Sequence, residues 1–313
     1  AWPERGTLGL GLFFLIIGSG MLLAYPQAVK IIIDEALGSG RTEAIDHAAL
    51  IIFGVFMVQA LAGAIRYYLF TLAGERIVAK LRGTVYKSIV EQEIAFFDSR
   101  RTGELMSRLS SDATILQNAV SVNISMSMRN LGSAIGGVVL LVYTSPVLTF
   151  GLLACIPPIA LGTVFFGKRL RSLSRDVQDA VADTGIVAEE TISGIRTVRA
   201  FAKEGFEVGR YQKAVQRSFV LAKKRITYIS MITGISGWLG YTAIVGVLWY
   251  GGRLVVSGRM TVGDLTSFIL YAMTVAVSVG ALGSLWTDLM AATGSAKRIF
   301  EILDRQPAIV ING

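Results

Sequence analysis

The sequence predicts an all-α membrane protein of six long transmembrane helices that extend into the cytoplasm. Three observations predict it. Hydrophobic residues make up 53% of the 313 residues and charged residues only 17%, where a soluble domain carries about 25% charged. Uncharged runs recur at lengths that match or exceed the roughly 20 residues a helix needs to cross the hydrocarbon core. Helical periodicity then continues through the polar loops between those runs.

The spans follow in order. Gly6 to Val29 has no charge and predicts a span over about 7–33. His47 to Ile65 is the next such run and predicts 47–70. Asn130 to Gly167 is one uncharged run of double length. Tyr143-Thr144-Ser145-Pro146 divides it into spans over 125–144 and 146–168, because proline suits a helix start. Ile226–Gly252 and Leu265–Thr287 give the last two, over 226–252 and 265–288. The first run is longer than a signal-peptide core and lacks a small-residue cleavage pattern. The chain opens Ala-Trp-Pro rather than with Met, so residues upstream are expected. Cys155, the single cysteine, reads as a small buried hydrophobe.

The net charge of +8 sits in particular loops, which argues against a nucleic-acid partner. Seven Lys/Arg fall between Gly74 and Met128 and thirteen between Lys168 and Tyr228. The loop Asp34–Asp46 has Arg41 against four carboxylates. Positive loops stay cytoplasmic, so both long loops and both termini are placed inside.

Those loops are patterned as helices. Ile77, Leu81, Val85 and Ile89 recur at four-residue steps, as do Leu105 and Leu109 beyond the polar break at Phe97–Thr102. A helix from about Ala48 to Gln92 would run roughly 65–70 Å, about twice the hydrocarbon thickness. In the second loop, Leu170–Thr191 reads as helix, Gly194 as a break, Phe201–Glu207 as a short segment, and Tyr211–Lys224 as the lead into span five. Gly132 and Gly136 form a small-xxx-small pair, either a helix-contact face or ordinary tolerance of glycine in lipid. Pro157-Pro158 interrupts span four and predicts a kink there.

No catalytic constellation appears. Gly162-Thr163-Val164-Phe165-Phe166-Gly167-Lys168-Arg169 copies the glycine and lysine spacing of a phosphate-binding loop. It has Arg169 where Ser or Thr should ligate magnesium, and it ends a membrane span rather than following a strand. No metal-ligand cluster stands out, His47 is the only histidine, and no nucleophile–base pair can be proposed. The reading for this chain alone is therefore not an enzyme, with no catalytic residue, metal site or cofactor.

Two polar segments stand apart: Phe96-Phe97-Asp98-Ser99-Arg100-Arg101-Thr102-Gly103-Glu104 through Asp112, and Ser193-Gly194-Ile195-Arg196-Thr197-Val198-Arg199-Ala200-Phe201-Ala202-Lys203-Glu204. With Ala296-Lys297-Arg298-Ile299-Phe300-Glu301-Ile302-Leu303-Asp304-Arg305-Gln306-Pro307, they make the chain resemble the transmembrane domain of type I ABC exporters, in the multidrug, lipid and antigen-peptide-transporter-like branch. The resemblance runs over nearly the whole chain. It implies a six-helix domain over 1–306, with 307–313 starting a linker to a nucleotide-binding domain, expected to be fused in the same polypeptide. It implies ATP and magnesium in that domain, a second half-transporter as homo- or heterodimer partner, and an inner or plasma membrane location. It implies coupling helices at Phe97, Asp98, Arg100, Arg101 and Thr102 and at Phe201, Lys203 and Glu204, which seat in the nucleotide-binding domains. The function implied is export of a drug, lipid or peptide by alternating access, and the bending of span four makes Pro157 and Pro158 a candidate hinge.

Elementary physics supports the coupling residues independently. Phe96, Phe97 and Phe201 are large apolar groups at loop tips, which either a partner covers or the loops pack internally. For the substrate cavity, Arg129, Asn123 and Asn130 lie near the inner leaflet. Arg129 either meets an anionic substrate group, pairs structurally with Asp288, or snorkels to lipid phosphate. Trp238, Tyr241, Trp249, Met273 and Trp286 line a cavity or face lipid. Two other classes compete. An ion-coupled secondary transporter predicts intramembrane carboxylates and broken midplane helices, which are largely missing; a membrane scaffold predicts no turnover.

The charge distribution yields a direct test. In a Cys155→Ala background, Thr84→Cys and Arg210→Cys should label from the cytoplasmic side and Gly40→Cys from the opposite side. Labelling of Gly40→Cys from the cytoplasm alone contradicts the orientation.

Overall fold

The computed structural model describes residues 4–39, 42–154 and 156–305, and its regular structure there is helical throughout. The helices run in the order α1 (Arg5–Ser39), α2 (Thr42–Val90), α3 (Ile94–Asp98), α4 (Thr102–Ser107), α5 (Ala113–Asn118), α6 (Ile124–Thr144), α7 (Pro146–Leu153), α8 (Ile156–Ser193), α9 (Ile195–Ala200), α10 (Glu204–Val256) and α11 (Val262–Leu303). π-helical turns at Arg108–Asp112 and Ala119–Asn123 join α4, α5 and α6 into one continuous rod.

Five helical stretches are long and apolar enough to cross a membrane: Arg5–Glu35, Ile45–Val90, Thr102–Thr144, Glu204–Val256 and Val262–Leu303. They carry five of the six predicted spans. The remaining one, 146–168, is helical in α7 and in α8 on either side of residue 155, which lies outside the described residues, as do Gly40, Arg41 and the predicted linker 307–313. Length is the governing feature. The 49 residues of α2 and 53 of α10 correspond to about 74 and 80 Å at 1.5 Å per residue, against roughly 30 Å of hydrocarbon.

The chain forms two compact units, Ala1–Pro146 with Leu254–Gly313, and Val147–Arg253. In the first, α1 packs along α2, and α11 packs on α6 and α1. Small residues set these approaches. A Cβ at Gly136 would lie 2.4 Å from Leu23 Cδ1, and one at Gly137 would lie 2.5 Å from Val275 Cγ2. Gly132 meets nothing within 4 Å. The contact face is thus Gly136-Gly137, not the Gly132/Gly136 pair. Pro26 lacks an N–H inside α1, and the Tyr271 hydroxyl donates to the Leu23 carbonyl of that turn at 2.8 Å. At one end of this unit, Lys30 pairs with Asp264 at 2.6 Å, and Asp34 accepts from the Gly263 N–H at 2.9 Å.

The other end of this unit carries its own core. Val85, Ile89, Phe96, Leu105, Ile299 and Ile302 are buried together, flanked by Leu81, Leu109 and Leu116. This is the periodic set predicted from the first loop, closed by α11. Polar ties fix the register. Arg298 Nε donates to Asp112 Oδ2 at 2.9 Å and Ser295 Oγ to Asp112 Oδ1 at 2.9 Å. Arg108 donates to the Arg298 carbonyl at 2.8 Å and pairs with Glu104. Both Arg108 and Asp112 sit on the first π turn, a local widening that re-aims side chains.

The second unit contains α7, α8, α9 and most of α10. Arg210 pairs with Glu190, Thr191 donates to Glu207 at 3.0 Å, and Arg217 meets Asp183 at 3.5 Å. Pro157 and Pro158 fall in the first turn of α8, where N–H groups have no helical acceptor. The interruption predicted for span four therefore lies just before the prolines, where α7 ends at Leu153.

Hydrogen bonding by Arg298 holds the Asp112 carboxyl below its ordinary value of 3.8. A depressed carboxylate contributes stability that is complete above the ordinary value and is lost as pH falls through the lower folded value. Asp112→Asn should therefore lower the thermal unfolding temperature at about pH 7, and the gap to wild type should close below pH 3.8. A gap independent of pH would contradict the pairing.

Candidate functional site

The first tip is built from the end of α2, α3 and the start of α4. After Val90 the chain turns at Glu91–Gln92, and α3 starts at Ile94 with the Phe96 N–H donating to the Glu93 carbonyl at 3.0 Å. The short helix thus covers Ile94–Asp98. It begins three residues before the predicted Phe97–Thr102 segment, whose remainder is the turn Ser99–Arg101 and the first residue of α4.

The two adjacent phenylalanines part company. Phe96 is 1% exposed and Phe97 is 41% exposed, with ring centroids 5.3 Å apart at 89°. The Arg100 and Arg305 guanidiniums stand 4.8 and 4.9 Å from the Phe96 ring centre, within cation–π range. Arg305 also pairs with Glu93 at 2.6 Å, and Ser88 donates to the Ile302 carbonyl at 3.0 Å. Phe96 is an internal anchor that fastens α3 to the end of α11. Phe97, Asp98, Arg101 and Thr102 stay exposed, with Arg100 half-buried. Exposed Ile94 and Met106 extend the apolar surface; Ile94 lies upstream of the segment marked in the sequence, and Met106 lies within it without an aromatic to single it out.

The second tip is built differently. The short helix α9 covers Ile195–Ala200, and Phe201–Lys203 form the turn before α10. This helix therefore precedes the predicted Phe201–Glu207 segment. It ends in a Schellman turn: the Ala202 N–H donates to Arg199 O at 3.2 Å and the Lys203 N–H to Val198 O at 3.0 Å. Ala202 takes φ +47°, a left-handed position where a Cβ costs about 1–2 kcal/mol. The same motif closes α10 with Gly258 at φ +72°. Phe201 is 71% exposed at the apex, and Arg199 meets Glu204 at 3.6 Å behind it. Beside it runs a groove of about 420 Å³ lined by Ile192, Ile195, Val198, Val208 and Tyr211, with Glu204 and Glu207 on its edge. Exposed Ile195 and Phe206 join the surface predicted from Phe201, Lys203 and Glu204.

The three cavity residues separate as well. Asn130 is 4% exposed, and its Nδ2 has no hydrogen-bond partner among the described residues. Arg129 is half-buried, and Asn123 lies in the second π turn. Asp288 is exposed and forms no ion pair with Arg129 among the described residues.

A family model for the ABC transporter transmembrane region matches residues 8–279. The chain belongs to this family.

Relatives fit. The chain is 38% identical over 311 residues to ABC transporter B family member 1 of Dictyostelium discoideum, covering 99% of this chain and 34% of that protein. It is 38% identical over 313 residues to the mitochondrial ATP-binding cassette sub-family B member 10 of Mus musculus, covering 99% and 44%. It is 35% identical over 312 residues to the ABC-type oligopeptide transporter ABCB9 of Mus musculus, covering 99% and 41%. The chain thus spans between a third and a half of these relatives' lengths.

This ABC transmembrane region has no cluster of three or more His, Cys, Asp or Glu suited to a metal among its described residues. Gly162–Arg169 lies within α8, so its backbone N–H groups serve the helix and form no phosphate cradle. Trp238, Tyr241, Trp249, Met273 and Trp286 are all exposed on the chain.

The split between neighbours gives a stability test. Phe96→Ala should destabilise the protein by about 3–5 kcal/mol, the range for emptying a buried phenylalanine site. Phe97→Ala and Phe201→Ala should each stay within about 1 kcal/mol of wild type. Chemical denaturation in detergent measures all three; equal losses would contradict the assignment of Phe96 as the buried member.

Proposed function

We propose that this chain is the membrane-spanning part of an ATP-driven exporter that moves an amphipathic or hydrophobic substrate by alternating access. The observation that carries the reading is the pair of exposed aromatic tips, Phe97 and Phe201, at the ends of helices far longer than a bilayer. Exposed aromatics ringed by charge match the core and rim of a protein interface. Their partners in this reading are nucleotide-binding domains that hold ATP and magnesium, with a second half-transporter completing the unit. The relatives' printed names, multidrug transporter and oligopeptide transporter among them, support drugs or peptides as cargo. The loop charge bias supports a multi-pass topology with both tips and both termini on the cytoplasmic or organelle-matrix face.

The geometry suggests how force would travel. Closure of a domain seated on Phe97, Asp98 and Arg101 pushes α3 as a rigid piece, because Phe96 is wedged among Val85, Ile89 and Ile302. α2 and α11 then move together, tied by the Ser88 hydroxyl on the Ile302 carbonyl, and the Asp112–Arg298 pair couples the α4–α6 rod to α11. At the other tip, Phe201 stands on a strained turn tied to its own unit by Arg210, Glu190 and Glu207. The hinge at Pro157 and Pro158 belongs to this reading, since the adjacent break lets α8 swing without losing hydrogen bonds that the prolines never made.

Truncating an interface anchor costs about 2 kcal/mol or more, roughly 30-fold in affinity. In the full-length protein, Phe201→Ala should uncouple ATP hydrolysis from transport while the helices remain folded. Wild-type transport with normal substrate-stimulated hydrolysis in both Phe201→Ala and Phe97→Ala would overturn the reading.

A further inference from the structure

Glycines serve opposite ends in the two units. In the first, Gly136 and Gly137 let neighbouring side chains approach so closely that a Cβ would collide. In the second, Gly151 on α7 and Gly246 on α10 face open space, with nothing within 4 Å of where a Cβ would stand. Both line a groove of about 330 Å³ between the two helices, with Val147, Leu152, Ala243 and Trp249 among its walls. The lining is apolar in character. Thr242 belongs to it, but its hydroxyl is spent on its own helix, donating to the Trp238 carbonyl at 2.8 Å.

The groove has a depth and a mouth. Its α10 wall runs from Thr242 to Tyr250, roughly 12 Å at 1.5 Å per residue, against about 15 Å of hydrocarbon in one leaflet. It lies at the end of α10 remote from Phe201, where the uncharged run of that span closes at Gly252. Trp249 and Tyr250 stand at this boundary, and aromatic residues favour the headgroup level. Arg253, the first charge beyond it, stacks over the Trp249 ring at 5.6 Å and forms no ion pair among the described residues. A guanidinium there sets phosphate-binding N–H groups above an apolar slot. A gap in lipid forfeits dispersion contacts unless something fills it. A helix of a second copy, 10–12 Å across, would occupy on the order of 1,000 Å³ over that length, about three times the volume of the groove. A single acyl chain is thin enough. Hydrocarbon gains little by leaving lipid for the groove, so selection falls to the headgroup at Arg253.

We propose that the α7–α10 groove holds one chain of an anionic phospholipid from the leaflet remote from the tips, with its phosphate on Arg253. This resident lipid goes beyond the export reading. Its binding needs neither ATP nor cargo, and the test uses neither.

The full-length protein is placed in phosphatidylcholine nanodiscs with a rising fraction of phosphatidylglycerol brominated on its chains, since bromine quenches tryptophan on contact. Two variants each keep one tryptophan of this chain, Trp249 or Trp238, with the others replaced by phenylalanine. Trp238 is as exposed on the same helix, 67% against 64%, and lies outside the groove. Measured against unbrominated lipid, Trp249 should be quenched at about fivefold lower fractions than Trp238, the worth of one basic residue at a headgroup. Arg253→Gln should remove that difference and Arg253→Lys should keep it. Brominated phosphatidylcholine should quench the two tryptophans alike. Gly246→Leu should fill the slot and bring Trp249 to the level of Trp238, and Gly151→Leu should do the same from the opposite wall. Equal quenching of both tryptophans by the anionic lipid, a difference that survives Arg253→Gln, or one that survives both glycine substitutions would overturn the proposal. So would stronger shielding of Trp249 than of Trp238, which would make the groove a seat for a second copy.

Discussion

Everything in this structure answers to one mismatch: helices of 42 to 53 residues in a membrane that roughly 20 residues can cross. Within lipid, the helix satisfies its own backbone and needs little else. Outside it, the same rods stand in water and need packing to stay in register. The first unit meets that need with a small apolar core around Phe96, closed by the pairing of Asp112 on the first π turn with Arg298 on α11. The second unit relies on ion pairs such as Arg210–Glu190 and Arg217–Asp183. These are partly exposed contacts of modest strength. One tip is wedged and the other is tethered, so the same push from outside would be transmitted stiffly through α3 and more compliantly through α9.

Much of this was legible in the chain itself. Uncharged runs mark the spans, and the four-residue recurrence of Leu81, Val85 and Ile89 marks the part of α2 beyond the membrane. What was not legible depends on distant partners. Phe96 and Phe97 are neighbours about 100° apart on a helix, and nothing local says which faces inward. Ile299, Ile302 and Arg305, some two hundred residues later, decide it. The Asp112–Arg298 pair is hidden for the same reason, and the π turn that aims Asp112 has no sequence mark. The short helices begin upstream of their predicted positions because the aromatics mark exposed surface, whereas Glu93 and Gly194 mark where each helix starts. Gly132 looked equivalent to Gly136 until Leu23 and Val275 took their places.

The polar residues within the membrane follow a different logic from the tips. Asp288 and Arg129 sit at similar depth by counting, yet one is exposed on α11 and the other faces into the bundle. Depth can be counted along a sequence, but facing depends on helix rotation, which packing of α6 on α11 and α1 sets. On the α2 side the close approach is made by Gly74 against Ser121, and one turn further on Ser125 accepts from Arg66.

The central claim is that Phe97 and Phe201, unlike Phe96, face a partner outside the membrane. Site-specific photo-crosslinking of the full-length protein in native membranes tests it most directly. With p-benzoylphenylalanine in place of Phe97 or Phe201, the account predicts crosslinks to peptides of a nucleotide-binding domain, and from position 96 only crosslinks within the membrane domain. Crosslinks from positions 97 and 201 that go solely to lipid or to neighbouring helices of the same domain would contradict it.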